Sequence, residues 1–441
     1  MIKILTGLVA LGIVVMVHEL GHFLVARLCG VTVETFSVGW GPVLFRRKFG
    51  ATEFRFSALP LGGYCGMKGE NDFRQAIEND RDSVPRDKDS FYGTHPLKRI
   101  AIALAGPSFN LFFSVLVFAV VSAIGYGYTT YENRIVPAAS YSSSAPGAAE
   151  IAGLSEGDRI VSLDGRDVAT FSDIQQFIGA NPDRDIRVGY VRDGEPRSTV
   201  IRPVMDRKTG TGKIGVYPYV PLVVGSVGEG SAAETSGIKA GDVITGVDGA
   251  EVLHFMQFSK ALESRPEQVV LTVRRGDIEL RFPVVLLYRE DGSVETGITW
   301  KAVEIAVPGT GFVDSVIRGF SETGRTLSLT VKSLGLLFRG VDLTEAVSGP
   351  LRITLMIGEV AKSSLTGVAE LLAIICVSLF LMNLLPIPIL DGGTVLFGLI
   401  ELLKGKPLKP KTLYYIQFIG VGFILVVFIF ALFGDIKYLV R

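Results

Sequence analysis

Apolar residues gather in four long runs along the chain, and a stretch of ordinary soluble composition separates the second run from the third. The runs cover Ile4 to Leu28, Leu97 to Ile124, Val368 to Leu390 and Leu413 to Phe433. A helix needs about 20 mostly apolar residues to cross a hydrocarbon core of about 30 Å, because it rises about 1.5 Å per residue. Each run is therefore predicted to span a bilayer. The first follows Lys3 and could pass for a secretion signal. It continues through Phe23-Leu24-Val25-Ala26 without a small-residue cleavage site, and no lipobox precedes Cys29, so it reads as retained.

Lys and Arg near the spans set the orientation. Arg46, Arg47, Lys48, Arg55, Lys98 and Arg99 lie between or beside the first two spans, and Lys404, Lys406, Lys409 and Lys411 lie between the last two. Both loops belong on the cytoplasmic side. Both termini, and the long segment between spans two and three, then face outward. Val31 to Met67 reads as short strands (VTVETFSVGW, VLFRRK, TEFRFSAL, PLGGYCGM) separated by Gly and Pro. Residues 311–340 and 345–362 read as helices whose apolar faces suit a membrane surface.

The outward segment repeats itself. Residues 147–168 (GAAEIAGLSEGDRIVSLDGRDV) and 231–252 (SAAETSGIKAGDVITGVDGAEV) align at a constant offset, 237 − 153 = 84 and 249 − 165 = 84. In each copy a Gly-Asp pair opens a strand and an Asp-Gly pair turns the chain at its end. Helix-like runs follow at Phe171 to Ile178 and Phe255 to Leu262. Two small α+β domains of roughly 85–95 residues fit the segment. Through A-x-x-x-G-[LI]-x-x-G-D-x-I-x-x-x-D-G the copies resemble tandem PDZ domains of the bacterial, protease-associated kind. Such domains bind an extended peptide by adding it to a sheet edge, and they can equally serve as rigid spacers that block access. The motif leaves both uses open.

The expected fold is a polytopic α-helical membrane protein with four transmembrane helices, a small membrane-associated β region and two outward α+β PDZ-like domains. Its boundaries are 1–30 for the first span, 31–95 for the β region and 96–126 for the second span. The two PDZ-like domains take 127–217 and 218–305, and outer or interfacial helices take 306–364. The third span takes 365–392 and the fourth 412–437. Composition agrees, with 48% hydrophobic and 20% charged residues. The 44 basic residues balance 44 acidic ones, which gives no electrostatic reason to expect a nucleic-acid partner. Cys29, Cys65 and Cys376 are too far apart in sequence for a disulfide scaffold or a thiolate zinc finger.

The chemistry sits in the first span, at His18-Glu19-Leu20-Gly21-His22. Four residues make about one helical turn, so both imidazoles project from one face and can bind one Zn²⁺. Glu19 is placed to take a proton from water at that metal. Polar side chains within lipid are costly unless they face a partner or cavity, which marks the cluster as functional; a polar interhelical hydrogen-bond cluster is the alternative. A zinc site needs a third protein ligand. His95 precedes a proline at the mouth of span two and His254 lies in the outer repeat, and both read as solvated surface histidines. The better candidate is Asp391, in Asn383-Leu-Leu-Pro-Ile-Pro-Ile-Leu-Asp391-Gly-Gly. Two prolines and two glycines break the helix there, at the cytoplasmic end of span three. Spans one and three run in the same direction, so the depths can match. The other reading of Asp391 is a cap on the segment that follows.

Together, H-E-x-x-H in the first span and N-x-x-P-x-x-x-x-D-G in the third resemble the site-2 protease family of intramembrane zinc proteases. The tandem insert points to its RseP-type members of Gram-negative inner membranes. The resemblance implies His18, His22 and Asp391 as zinc ligands, Glu19 as catalytic base, Asn383 as a substrate contact and a packing role for Ala105 to Asn110. It implies a β-sheet dipping toward the membrane beside the site, where an open strand could clamp an unwound substrate; soluble cytoplasmic hairpins fit the same residues. Many relatives carry His after Asp-Gly-Gly, where this chain has Thr394. The implied activity is cleavage within single-pass membrane proteins, such as an anti-sigma factor already trimmed by a first protease, or remnant signal peptides. The implied arrangement has periplasmic PDZ domains that exclude bulky substrates and a site toward the cytoplasm. A non-enzymatic membrane scaffold and an ion transporter are the rival classes, and neither needs a Glu beside His18.

Overall fold

The computed structural model describes residues 2–141, 145–207, 209–288, 294–337 and 349–440. Four helices are long and apolar enough to cross a membrane: Ile4–Leu28, Pro96–Ile124, Leu365–Asn383 and Pro410–Lys437. The chain divides into two compact units. One comprises residues 1–126 and 308–440, the other residues 127–307.

In the first unit the second span is the hub, packing against the first and third spans. The third span stops at Asn383, short of the predicted Leu390. Pro386 and Pro388 cannot supply the amides a continued helix needs, and each restricts the residue before it. Asp391 instead opens a separate helix, Asp391–Lys404, which the apolar pattern did not separate from the span. The helices Phe312–Leu337 and Pro350–Ser363, expected to present apolar faces to a membrane surface, pack against the spans. The first runs along the second span, where hydroxyls interlock: Ser114 with Thr323 at 3.3 Å and Ser122 with Thr310 at 3.0 Å. The second packs on the first span, and its N-terminal amides at Gly349 and Leu351 donate to the Asp435 carboxylate at 2.9 and 3.1 Å. The expected helix ends at 338–340 and 345–348 lie outside the described residues.

The β region is not four short strands but two long ones, Val33–Phe49 and Thr52–Met67, paired antiparallel. Residues 35–38 pair on both sides, Phe36 with both Phe54 and Cys65, and Val38 with both Phe56 and Gly63. The ribbon is therefore three strands wide at its base. Phe23, Phe36 and Phe54 interlock there with ring centroids 5.4–5.8 Å apart, fastening the sheet to the end of the first span. The far arm exposes Leu44, Phe45, Phe49 and Phe56.

The second unit holds two four-stranded antiparallel sheets with the same strand order. One uses Arg166–Asp167, Arg159–Leu163, Ile186–Arg192 and Glu195–Ile201; the other Ala250–Glu251, Val243–Val247, Gln268–Arg275 and Ile278–Val285. The 84-residue offset persists in the packing. Ile160, Leu163, Val168, Ile174 and Ile178 are buried in one core, and Ile244, Val247, Val252, Phe258 and Leu262 in the other. Buried Asp158 and Asp242 each receive a two-armed ion pair from the next hairpin, Arg192 and Arg275 respectively, at 2.7–2.8 Å.

Candidate metal centre

The first span carries His18 and His22 one turn apart, with their Nε2 atoms 3.2 Å from each other. Asp391, first residue of its helix, places Oδ2 3.3 Å from His18 Nε2 and Oδ1 3.4 Å from His22 Nε2. Tetrahedral zinc with ligand bonds of about 2.0–2.1 Å sets its ligand atoms about 3.3 Å apart. All three separations match that edge, so the donor set fits zinc and leaves a fourth position for water or substrate. Among the described residues this is the one cluster of three His, Cys, Asp or Glu donors close enough to share an ion.

The second span supports the cluster. His22 Nδ1–H donates to the Ile102 carbonyl at 2.8 Å, which leaves Nε2 free to face a metal. Gly106 lies one turn further along that span. A Cβ there would strike the rings of both His22 and His18, so only glycine allows the two helices to approach this closely. Lys98 Nζ donates to the Cys29 carbonyl at 2.9 Å and levels the start of the second span with the end of the first. Counted from Leu28 at about 1.5 Å per residue, His22 lies about 9 Å and His18 about 15 Å inside the span.

Glu19 is buried beside the histidines, and no side chain or amide of the described residues donates to it. The hairpin passes directly against it: a Cβ at Gly63 would contact Glu19 Cγ and the Ser37 carbonyl. Asn383 closes the third-span helix and is half-buried, without a hydrogen bond to the three donors. Thr394 lies within the helix that Asp391 opens, and its side chain makes no hydrogen bond to the cluster.

Of the two remaining histidines, His95 is exposed and caps the second span, accepting from the Leu97 amide. His254 corrects the sequence expectation, because it is fully buried rather than solvated. It occupies the cap position that Thr170 fills in the first copy, with Nδ1 accepting from the Met256 amide at 3.2 Å. Its Nε2 meets Glu156 of the first copy at 2.8 Å, and the rings of Tyr141 and Tyr219 cover it. Neither histidine is a member of the donor cluster.

The profile of peptidase family M50 matches residues 6–427. The chain belongs to peptidase family M50. Relatives agree over their whole lengths. A protein of Treponema pallidum, provisionally named a zinc metalloprotease, is 46% identical with both chains fully covered. One of Borreliella burgdorferi with the same name is 32% identical over 98% of each chain. Protease RseP of Yersinia pestis is 30% identical over 97% of each. This M50 chain is a membrane metalloprotease, and its cofactor is zinc. Gly63 and Ile102 escaped the motif reading, whereas Gly106 and Asn110 lie in the Ala105 to Asn110 stretch to which the resemblance gave a packing role. The specific contacts of those two with the histidines were not read, although a glycine and an asparagine inside an apolar span are both costly without a reason.

Proposed function

We propose that this protein is an intramembrane endopeptidase of a bacterial inner membrane, cutting the spanning segments of single-pass membrane proteins. The observation that carries the reading is the cluster of His18, His22 and Asp391 at zinc-ligand spacing, its two histidines inside a membrane-spanning helix with Glu19 beside them. Those three residues hold the ion. Zinc, when bound, polarises a carbonyl and acidifies water. Glu19 takes a proton from the attacking water as its oxygen bonds to the scissile carbonyl carbon. As the C–N bond breaks, Glu19 returns that proton to the departing nitrogen.

A helical substrate hides its carbonyls in its own hydrogen bonds and must unwind before it is cut. Residues 63–67 pair with residues 33–38 on one side, and their other edge has no strand partner among the described residues. That edge begins at Gly63, against Glu19, and is suited to hold an unwound segment by main-chain bonds. Asn383, at the end of the third span, is assigned to substrate contact. The substrate class is a trimmed anti-sigma factor or a remnant signal peptide. The two PDZ-like domains lie in the periplasm and act as a size filter against untrimmed substrates.

The test is Glu19→Gln. It should bind zinc as the parent does and lose cleavage of a membrane substrate in detergent by about 10²–10⁴-fold. Substantial remaining proteolysis would remove Glu19 from the mechanism.

A second reading concerns the outer domains alone. A cleft of about 500 Å³ runs beside the helix Phe255–Ala261, lined by Phe255, Met256, Leu262, Ile298 and Trp300 among others. It supports an alternative to the size filter, in which the second PDZ-like domain docks a peptide.

A further inference from the structure

We infer that Asn110 is the positioning residue for His18, and that its amide reverses when zinc binds. The inference rests on the zinc reading above and adds a residue to it. Ile102, Gly106 and Asn110 stand at i, i+4 and i+8 on the second span and form one stripe along its face. The first span runs antiparallel to it. His22 thus meets Ile102, and His18 meets Asn110, with the bare Cα of Gly106 between them.

Each histidine presents Nε2 to the metal position, so each needs its Nδ1–H satisfied. His22 has the Ile102 carbonyl. For His18 Nδ1 the partner among the described residues is Asn110, whose side-chain nitrogen lies 3.3 Å away. The Asn110 side chain is fully buried, and its Oδ1 has no hydrogen-bond partner among the described residues. This arrangement suits the metal-free protein. The distances fit the tautomer with Nε2–H facing Asp391 Oδ2 at 3.3 Å and a bare Nδ1 accepting from the amide nitrogen. Once Nε2 ligates zinc, the proton must reside on Nδ1, where an amide N–H would oppose it. Rotating the Asn110 amide by 180° presents the orphaned oxygen to that proton. Asparagine serves both states because it carries a donor and an acceptor on one rotor. Leucine serves neither state, and aspartate serves only the zinc-bound one.

The experiment is zinc competition with a chelator on full-length protein in detergent, with the metal-free melting temperature read alongside. Asn110→Leu should weaken zinc about 10–100-fold, the usual effect of removing a ligand's hydrogen-bond partner. Asn110→Asp should hold zinc at least as tightly as the parent. Asn110→Ser, too short to reach Nδ1 but small enough for the site, should behave as Asn110→Leu and stands in for it if that variant does not fold. A merely packing role would make Asn110→Asp, with its buried charge, the worst of the three, and that result would overturn the inference. So would unchanged zinc affinity in both Asn110→Leu and Asn110→Ser. His18→Ala separates the two levels: if it keeps zinc, the metal reading itself fails, whereas its loss beside an unaffected Asn110→Leu defeats only the present inference.

Discussion

Arg99 and Glu401 are 302 positions apart in the chain and meet at 2.6 Å, both largely buried. The pair joins the first turn of the second span to the helix that begins at Asp391. It therefore fixes the element carrying one zinc-ligand candidate against the element that supports the other two. Breaking a buried pair leaves a stranded charge and costs about 3–5 kcal/mol, whereas replacing both partners by apolar groups is often neutral. Glu401→Leu is expected to destabilise by that amount and to loosen zinc. The double variant Arg99→Met/Glu401→Leu should recover most of both. Thermal melts and chelator competition on the same samples measure this; a double variant as impaired as the single one would show that the charges act other than through each other.

Asp391→Ala should lower zinc occupancy and proteolysis together. His95→Ala should change neither. His254→Ala removes a helix cap and should cost about 1 kcal/mol in the second unit while leaving zinc in place. Metal analysis of the three purified proteins decides. Full zinc in Asp391→Ala would direct the search to another donor.

Gly106→Ala isolates the close approach of the first two spans. Alanine favours a helix over glycine by about 1 kcal/mol, so the helix itself gains. Any loss must come from the collision of the new methyl with the rings of His18 and His22. The expected result is markedly weaker zinc binding with the helix content unchanged by circular dichroism. Parental zinc affinity would mean that the spans can separate without disturbing the site.

The legible part of this protein was what periodicity and motif spacing encode. Four apolar runs marked the four spanning helices, and His18, Glu19 and His22 named themselves by lying where lipid tolerates no polar group. Asp391 was legible through the prolines and glycines before and after it. What stayed hidden depends on partners distant in sequence. Nothing near Asp158 or Asp242 announces Arg192 or Arg275, because the pairing exists only once the hairpin folds back. His254 looked like a surface histidine because its burial is supplied by Tyr141 and Glu156, more than ninety positions earlier. The helix from Asp391 was absorbed into the span for another reason: hydropathy averages over the seven-residue turn that interrupts it (390 − 383 = 7).

Asp242 gives the second unit a defined acid sensitivity. The Arg275 guanidinium, bonded through two nitrogens, holds its carboxyl below the ordinary range despite the opposing effect of burial. A group depressed in the folded state binds protons more readily when unfolded. Its contribution is complete above the unfolded value of about 3.9 and is lost as pH falls through the lower folded value. Asp242→Asn should therefore destabilise at neutral pH and lose part of the parent's acid dependence below about pH 4. Urea unfolding of the second unit, followed by Trp300 fluorescence at several pH values, checks the slope. Parallel pH profiles for parent and variant would refute the assignment.

The two repeated domains of the second unit pose the question of filter against dock, and one deletion can answer it. The strands Gly125–Thr130 and Val303–Pro308 pair with each other, so a short linker can rejoin the chain after Arg134 to Trp300 is removed. The deleted residues contain none of His18, Glu19, His22 or Asp391, and zinc content should be unchanged. If the domains exclude bulky substrates, the deletion protein should cut an untrimmed substrate with a folded outer domain and cut the trimmed form at about the parental rate. If the cleft beside Phe255–Ala261 delivers substrate, cleavage of the trimmed form should slow and the untrimmed form should remain intact. A point variant sharpens the contrast: Met256→Glu places a charge in the cleft without shortening anything. Under filtering it should leave both rates alone, because steric bulk is unaffected. Under docking it should reproduce the slowing seen in the deletion. The filter is the expected outcome, since a spanning substrate diffuses in the bilayer to the open edge at Gly63 without a tether. Slow cleavage of trimmed substrate by both proteins, with zinc retained, would assign the outer domains to docking instead.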